Sequence, residues 1–337
     1  MPRLRSRNRR GMTLVELMVV VAILGLLAVA VFPLLGGSSK KNLLRETAAT
    51  VDGHINQAIS KAIGARTGHG VWIQSDTTSA ASPVSALAFC PGTTQTSGSA
   101  TFTLAAQTDT TVTASKSLTP PPVPSGSLLS FVGFPYDYEL TGQSTVSLRS
   151  SVMQTTSNMA WPGLLVSETS GTLSYTISIP PTGSKGTKVP LRGNACIDLP
   201  LSTVGVYGYS TPAATLTNDG PLILTFDSLG RVRTATYTTV SSTIPIQRRL
   251  DARTPIALLV GMRDQVGQAI VSTPDEDNPG SNLQRADTFW VVLDPRSSTT
   301  LIVENAGTGV ANKGIGAVSI NSITEAQKFI VQTLKNR

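Results

Sequence analysis

The sequence predicts an α+β protein in which a long amino-terminal helix packs on a β-rich domain. Three observations support this prediction. An uncharged apolar run extends over residues 17–39, residues 44–62 repeat apolar side chains at helical spacing, and the rest of the chain contains short segments rich in β-branched and aromatic residues. A long helical pattern followed by many strand-like segments is typical of the α+β class.

The apolar run is long enough to cross a membrane. It has no charged residue from Leu17 to Ser39, and at about 1.5 Å per residue such a helix spans the roughly 30 Å hydrocarbon core of a bilayer. The five arginines among residues 1–11 predict that the amino terminus stays in the cytoplasm while the rest is exported. Glu16 stands out because a carboxylate facing hydrocarbon costs roughly 2.5 kcal/mol or more on insertion scales, so a partner or a function is expected for it.

Three ordinary interpretations of this run compete: a cleaved secretory signal, a permanent membrane anchor and a buried core helix. The signal interpretation is supported by Ala28-Val29-Ala30, an A-x-A site of the kind after which signal peptidase cuts. Against it, the apolar run is longer than the apolar region of a signal peptide. Neither a signal peptide nor an ordinary anchor explains Glu16.

The residues at the start of the run resemble the class III signal of type IV pilins and type II secretion pseudopilins. Gly11 is followed by Met12-Thr13-Leu14-Val15-Glu16, and Met12 replaces the commoner phenylalanine of the family. The resemblance implies that a prepilin peptidase cuts after Gly11 and that the new terminus at Met12 is methylated. It also implies assembly roles for four residues that lie in register with the family's helix: Thr13, Glu16, Gly25 and Pro33.

A physical role for Glu16 follows from this cleavage. The new ammonium at Met12 would lie four residues from Glu16, within one helical turn, and would partly neutralise the acid. A buried carboxylate needs a close opposite charge to remain ionised, and the resemblance implies that the ammonium of a neighbouring filament subunit supplies it. Glu16 is therefore interpreted as an assembly contact and not as a catalyst.

The second part of the predicted helix is amphipathic, with apolar residues on one stripe and polar residues between them. The stripe consists of Leu44, Ala48, Val51, Ile55, Ala58, Ile59 and Ala62. Gly64, Gly68 and Gly70 mark the helix end. The predicted segments are a leader peptide at 1–11, a membrane and filament-core helix at 12–39, its amphipathic half at 40–66 and an exported β-rich domain at 67–337.

Eleven short segments of the exported part are predicted strands because they are rich in β-branched or aromatic residues and are bounded by turn formers. They are Val71–Ser75, Val84–Phe89, Ser127–Val132, Leu164–Glu168, Leu173–Ile179, Val204–Tyr209, Leu222–Phe226, Val232–Val240, Ala257–Val260, Thr288–Leu293 and Leu301–Glu304. Residues 226–231 predict a hairpin in which Gly230 adopts positive φ. One large β domain and two small ones both remain compatible with this pattern.

Two further segments complete the prediction. The Ser/Thr/Pro-rich stretch 91–127 is expected to be a solvated insertion, with a receptor-contacting loop as the alternative. Near the carboxyl end, Ser322 and Glu325 fit a capping box that opens a helix. The residues expected on its packed face are Ile323, Ala326, Ile330 and Leu334.

A finer resemblance concerns the kind of pilin. The helix end "HINQAISKAIGARTGHGVWI" and the later "LILTFDSLGRVRTATY" are similar to H-type minor pseudopilins and FimT-like minor pilins, although this chain is longer than that class usually is. Cys90 and Cys196 are the only cysteines, and in an oxidising compartment they are expected to pair, stabilising the fold by roughly 4–5 kcal/mol. This spacing departs from that of major pilins and argues against a major subunit.

Composition favours an exported, structural protein over an enzyme. Charged residues make up 14% of the chain, against about 25% in typical domains. Five of the 27 basic residues lie in the leader, which leaves 22 against 20 acidic residues and removes most of the apparent positive charge. His54 lies beside Asp52 and His69 follows in the Gly-rich helix end, but no third ligand or cysteine is near them in the sequence, so both are expected to be solvated. No phosphate-binding loop or nucleophile elbow is recognised in the sequence, and an enzyme is not expected.

Two weaker binding sites are suggested by charge. Asp275, Glu276 and Asp277 lie in a Pro/Gly-bounded loop and are a candidate for calcium, although a solvated acidic turn is the ordinary explanation. Four arginines near one predicted hairpin form a candidate surface for DNA phosphates, although solvent-exposed strand arginines are the ordinary explanation. They are Arg231, Arg233, Arg248 and Arg249.

The sequence therefore predicts a minor pilin or pseudopilin, initiating or tip-proximal, in a type IV pilus or a type II secretion pseudopilus. The expected partners are prepilin peptidase, other pilin subunits, an inner-membrane assembly platform and membrane lipid. The expected location is the bacterial inner membrane with the amino terminus inside, and then the periplasm or cell surface. A DNA-uptake subunit and a major pilin are the alternatives.

Overall fold

A computed structural model describes most of the chain, with side chains at most of the described positions. The side chains of Glu16, of residues 26–38 and of Arg248 are among those not described. The described residues are 14–66, 68–75, 83–106, 111–116, 118, 123–134, 137–142, 144–147, 161–204, 221–239, 242–250, 255–270, 280–306, 311–312, 316–317 and 323–335. The chain forms two compact units, Met1–Leu43 and Leu44–Arg337.

The described chain has three α-helices and is otherwise β-rich, which confirms the predicted β-rich architecture. The helices are α1 (Leu14–Ala65), α2 (Gly163–Ser167) and α3 (Ile323–Lys335). The strands are β1 (His69–Ser75), β2 (Val84–Pro91), β3 (Thr94–Thr103), β4 (Thr111–Ala114), β5 (Leu128–Phe131), β6 (Asp137–Leu140), β7 (Thr145–Ser147), β8 (Ser170–Ile179), β9 (Lys185–Pro190), β10 (Ala195–Thr203), β11 (Leu222–Phe226), β12 (Val232–Thr239), β13 (Ser242–Arg249), β14 (Ile256–Met262), β15 (Phe289–Asp294), β16 (Thr299–Glu304), β17 (Ala311–Asn312) and β18 (Gly316–Ala317).

Ten strands form one antiparallel sheet, in the order β13-β12-β11-β1-β2-β10-β14-β15-β16, with β9 also pairing β2. Its central strands are buried on both faces: β11 and β14 have no exposed residue. Such continuous apolar strands need a layer on each side. Elements from both ends of the chain supply these layers.

On one face, the second half of α1 covers the sheet. The residues of the predicted stripe are buried, except Ile59, which is half-buried. Ile59 and Ile63 reach the turn between β11 and β12, where Gly230 has a φ of +77°. The predicted hairpin at 226–231 and its positive-φ glycine are therefore confirmed.

On the opposite face, α3 packs on the β14–β16 end of the sheet. Phe329 and Ile330 of α3 join a core with Leu259, Trp290 and Val303. The predicted carboxyl-terminal helix is confirmed, and Ile330 is on its packed face as expected. Ser322 of the proposed capping box lies outside the described residues.

The segment between β2 and β9 forms a closed six-stranded barrel, in the order β3-β4-β7-β6-β5-β8. The barrel has its own core, in which Tyr138 stacks on Trp161 with ring centroids 4.8 Å apart and Phe102 meets Phe131 edge to face. The prediction of a solvated insertion over 91–127 was wrong, because β3 and β4 lie there. In these strands buried residues alternate with exposed Thr and Ser, and the high Thr and Ser content hid the strand pattern in the sequence.

One predicted strand was also wrong. Residues Leu164–Glu168 were expected to be extended, but Gly163–Ser167 is the short helix α2. Pro162 precedes this helix, and proline favours helix starts. Leu164 packs closely on Gly171: a Cβ at Gly171 would lie 2.3 Å from Leu164 Cδ2. Most of the predicted strand Val204–Tyr209 lies outside the described residues.

Candidate processing and assembly site

The residues predicted for processing lie at and before the start of α1. Gly11, Met12 and Thr13 are outside the described residues. Glu16 lies within the described part of α1, Leu14–Ala65, although its side chain is not described.

Apolar side chains on every side of the first turns of α1 are exposed. Leu14, Val15 and Met18 are each at least 66% exposed, and Val21 and Leu24 are 60% exposed. A helix that is apolar all round needs to be buried, because each such side chain left in water forgoes roughly 1.5–3 kcal/mol of burial free energy. These turns therefore require either lipid or other helices as surroundings. Gly25 has nothing within 4 Å of its Cβ position within this chain.

In the part of the chain that the structure describes, no helix is both long enough and apolar enough to cross a membrane. The predicted span 17–39 includes residues 26–38, whose side chains are not described, and Pro33 is among them.

The second half of α1 is attached to the β-rich domain. Leu44, Ala48 and Val51 are fully buried, and Ile55, Ala58 and Ala62 are at most 1% exposed. Polar contacts flank this seam: Arg45 pairs with Glu304 at 3.1 Å, Arg192 pairs with Glu46 at 3.2 Å and Asn56 donates to the Thr300 hydroxyl at 2.8 Å. Because these pairs are exposed, they contribute little energy, and the buried stripe supplies the stability of the attachment.

His54 was predicted to be solvated, and this prediction was wrong. Its ring is 5% exposed and stacks on Phe89 at 4.0 Å, while the Lys61 ammonium lies 3.4 Å from the centroid of the same Phe89 ring. Burial lowers the pKa of His54, a backbone hydrogen bond with Ala88 opposes this effect and the nearby Lys61 charge adds to it. His54 is therefore a neutral packing residue of the α1 seam. His69 is half-buried in β1.

The predicted pairing of Cys90 and Cys196 was wrong, because both are free buried thiols in the structure. Cys196 on β10 precedes Ile197, which faces Val84 at the start of β2, whereas Cys90 lies near the other end of β2. At about 3.3 Å per residue, the register separates the two cysteines by roughly 15 Å, far more than the 4.4–6.8 Å of bridged Cα atoms. Burial raises the pKa of Cys90 to about 12 and also raises that of Cys196, so neither thiol is activated.

The candidate DNA-binding arginines do not form one surface. Arg249 pairs with Asp137 of the barrel at 2.8 Å. Thr234 lies directly opposite Arg249 and shares its face of the sheet, so Arg233 lies on the other face. Arg231 is exposed after the β11–β12 turn, and the side chain of Arg248 is not described.

The weak calcium candidates Asp275, Glu276 and Asp277 lie outside the described residues. Among the residues that the structure does describe, no group of three or more His, Cys, Asp or Glu side chains is placed to hold a metal ion.

A buried polar network on the α3 face was missed by the sequence analysis. The Asp198 carboxyl is fully buried, and its Oδ2 accepts a hydrogen bond from the Asn282 amide at 2.9 Å. The same amide group accepts from the Met262 N–H at 2.8 Å and donates to the Met262 carbonyl at 3.0 Å. The one signal in the sequence was a carboxylate inside the apolar β10 segment, "ACIDLPL".

Comparison with known proteins identifies only the amino-terminal region. Residues 6–32 match the family described as the prokaryotic N-terminal methylation motif. No curated protein and no solved structure matches the chain. The matched residues include Gly11, Glu16 and Gly25, so the amino-terminal signal predicted from the sequence is confirmed.

Proposed function

We propose that this chain, which carries the class III prepilin signal within its N-terminal methylation motif, is a minor pilin or pseudopilin. The motif supports a membrane-anchored precursor that becomes a subunit of a type IV pilin-like filament. The more specific proposal is a non-enzymatic initiating or tip-proximal subunit, processed by prepilin peptidase between Gly11 and Met12 and assembled from the inner membrane.

The observation that carries this proposal is the contrast between the two halves of α1. Apolar side chains at the start of the helix are exposed, whereas the stripe from Leu44 to Ala62 is buried against the sheet. A subunit that assembles through its helix needs such a division, since one half must attach the exported domain and the other must remain available to neighbouring helices.

The size of the exported domain supports a minor role. The sheet carries an inserted six-stranded barrel, which increases the bulk of each subunit around the helix. A filament of many identical copies must accommodate that bulk at every position, whereas a tip-proximal subunit has no subunit beyond it. A major subunit is therefore the weaker alternative.

The first test is the mass and location of the chain in cells. The expected product begins at Met12, carries one methyl group and is recovered in the filament fraction. Glu16→Ala should be made and cleaved but should be depleted from filaments by at least roughly ten-fold, because the partner ammonium loses its counter-charge on burial.

Glu46→Gln is the matched control, since Glu46 lies on the same helix in an exposed pair with Arg192. It should assemble normally. A chain beginning at Val31, a chain retaining Met1, or equal recovery of Glu16→Ala and Glu46→Gln would contradict the proposal. Loss of surface pili after gene deletion would indicate a pilus subunit, and loss of protein secretion would indicate a pseudopilin.

DNA uptake is the less supported function, because Arg249 is paired with Asp137 and the register places Arg233 on the opposite face. The DNA-uptake function would be supported if the full chain bound duplex DNA in a salt-dependent way and if Arg233→Ala weakened that binding.

A further inference from the structure

The segment Ser281–Thr288 is held on the α3 face of the sheet by buried polar side chains. Asn282, at its start, bonds to both backbone groups of Met262, as an additional strand would. Near its end, the Asn305 amide donates to the Leu283 carbonyl at 2.7 Å and to the Arg285 carbonyl at 3.0 Å. The segment is therefore attached through two asparagines, of which Asn282 alone also contacts a buried acid.

The space for Asn282 depends on a glycine. A Cβ at Gly261 would lie 2.3 Å from Asn282 Oδ1, so only glycine allows the amide to reach the backbone of Met262 at the end of β14. The amide group is thereby oriented with one N–H toward the Asp198 carboxyl. The Asn282 amide therefore bonds to Met262 and to the Asp198 carboxyl at the same time.

Asp198 is poorly compensated as an anion. Its side chain is fully buried, and its Oδ1 has no hydrogen-bond partner among the described residues. The donors to this carboxyl, the Asn282 amide and the Leu201 backbone N–H, are both neutral, and a buried carboxylate without a cation is costly. The neutral acid is therefore the form that this site accommodates better.

We propose that Asp198 is a proton-controlled latch: the segment Ser281–Thr288 stays closed while the buried carboxyl is neutral, and ionisation loosens the segment because a carboxylate is more stable in water than buried without a cation. The inference is independent of the proposed function and concerns the exported domain alone. Its consequence is that this part of the surface becomes more dynamic as the surrounding pH rises.

The direction of the Asp198 pKa shift agrees with this proposal. Burial raises the pKa of Asp198 to about 6, and the N–H groups of Asn282 and Leu201 oppose this shift without cancelling it. A carboxyl whose pKa is higher in the folded state than in the open state binds protons more tightly when folded. The stability of the closed segment is therefore full below about pH 4 and falls as the pH rises toward 6 and above.

The charged and titratable groups around this site do not offset the anion. Asp198 raises the pKa of Cys196 on the same strand, and Arg263 and Asp264 follow β14 with opposite charges. In the segment itself, Arg285 is engaged by Asp287 at 2.7 Å. On α3, which packs on Leu283, the described charges at Glu325 and Lys328 are also opposite.

Hydrogen–deuterium exchange of the full chain in detergent micelles tests the latch. Peptides covering residues 280–288 should lose protection by on the order of 30-fold between pH 4.5 and pH 7.5, after correction for the intrinsic exchange rate. Peptides from β8, in the separately packed barrel, should not change. Equal corrected protection of residues 280–288 at the two pH values would overturn the proposal without any variant.

Variants assign the effect to one carboxyl. Asp198→Asn should remove the pH dependence, whereas Asp287→Asn, the matched control within the segment, should retain it. Asn282→Ala should give low protection at both pH values. A pH dependence that persists in Asp198→Asn would overturn the proposal, and if that variant does not fold, the wild-type series and Asn282→Ala still decide.

Discussion

Two carboxylates of this chain lie in apolar sequence, Glu16 at the start of α1 and Asp198 in β10. Asp198 receives its hydrogen bond from Asn282, a residue 84 positions away in the chain. For Glu16, the proposed partner is an ammonium on another subunit. Both cases follow one rule, that a polar group taken out of water must find a partner.

Replacing Gly261 with alanine should destabilise the β-rich domain by about 2–4 kcal/mol. The new Cβ would lie 2.3 Å from Asn282 Oδ1, so Asn282 must withdraw from Met262 and leave buried polar groups unpaired. Urea unfolding of the full chain in micelles measures the change. Gly183→Ala is the control, because nothing lies within 4 Å of that Cβ position. Equal unfolding midpoints for the two variants would refute this account.

At the scale of elements, α1 is positioned by contacts at several points of the sheet. His54 stacks on Phe89 of β2, Asn56 bonds to Thr300 of β16, and Ile63 meets the β11–β12 turn. The turn approaches the helix closely because Gly230 adopts a φ of +77° and has no side chain. One turn residue therefore controls how the end of the helix packs.

Gly230→Ala should cost about 1–3 kcal/mol of stability and should reduce the exchange protection of residues 59–63. Left-handed backbone is strained for alanine, and its Cβ would lie 2.8 Å from Ile63 Cδ1, a flexible group that can partly yield.

Gly53→Ala provides a control of opposite sign. Gly53 is in α1 with nothing within 4 Å of its Cβ position, so alanine should stabilise the helix by up to about 1 kcal/mol. Thermal unfolding of both variants should therefore shift in opposite directions, and a stabilised Gly230→Ala variant would disprove the packing described.

At the scale of the molecule, the barrel is an insertion in the sheet. Its first strand, β3, pairs with its last, β8, from Thr94 opposite Ile179 to Thr103 opposite Ser170. The two connections to the sheet are therefore adjacent. Arg249 with Asp137, and the Gln247 N–H donating to the Gly126 carbonyl at 3.3 Å, link the barrel to β13.

Replacing residues 94–179 with a short Gly/Ser turn should leave the ten-stranded sheet folded and the proposed processing at Gly11 unchanged. The barrel's core is separate from that of the sheet, and the Arg249 pair is half-exposed, so its loss should cost about 1 kcal/mol or less. Exchange protection of β1 and β14 is the measurement. Loss of protection in both strands, or a chain that no longer folds, would show that the barrel is required.

Much of this architecture was predictable because the patterns are local. The α1 stripe, the hairpin glycine and α3 are repeats or turn signals within a few residues. The strands β3 and β4 were missed because their outward residues are Thr and Ser, which a composition argument assigns to loops. The disulfide prediction was wrong for a different reason: whether two cysteines can pair depends on the register of their strands, not on the number of cysteines.

The sequence by itself determined the amino-terminal signal, the apolar helix and the β-rich character of the rest, since each follows from residues that are neighbours in the chain. Only the tertiary structure decided that the Thr/Ser-rich insertion closes into a barrel, that Cys90 and Cys196 lie too far apart to pair, and that Asp198 meets Asn282. These outcomes depend on strand register and on contacts between residues distant in sequence, which local patterns do not encode.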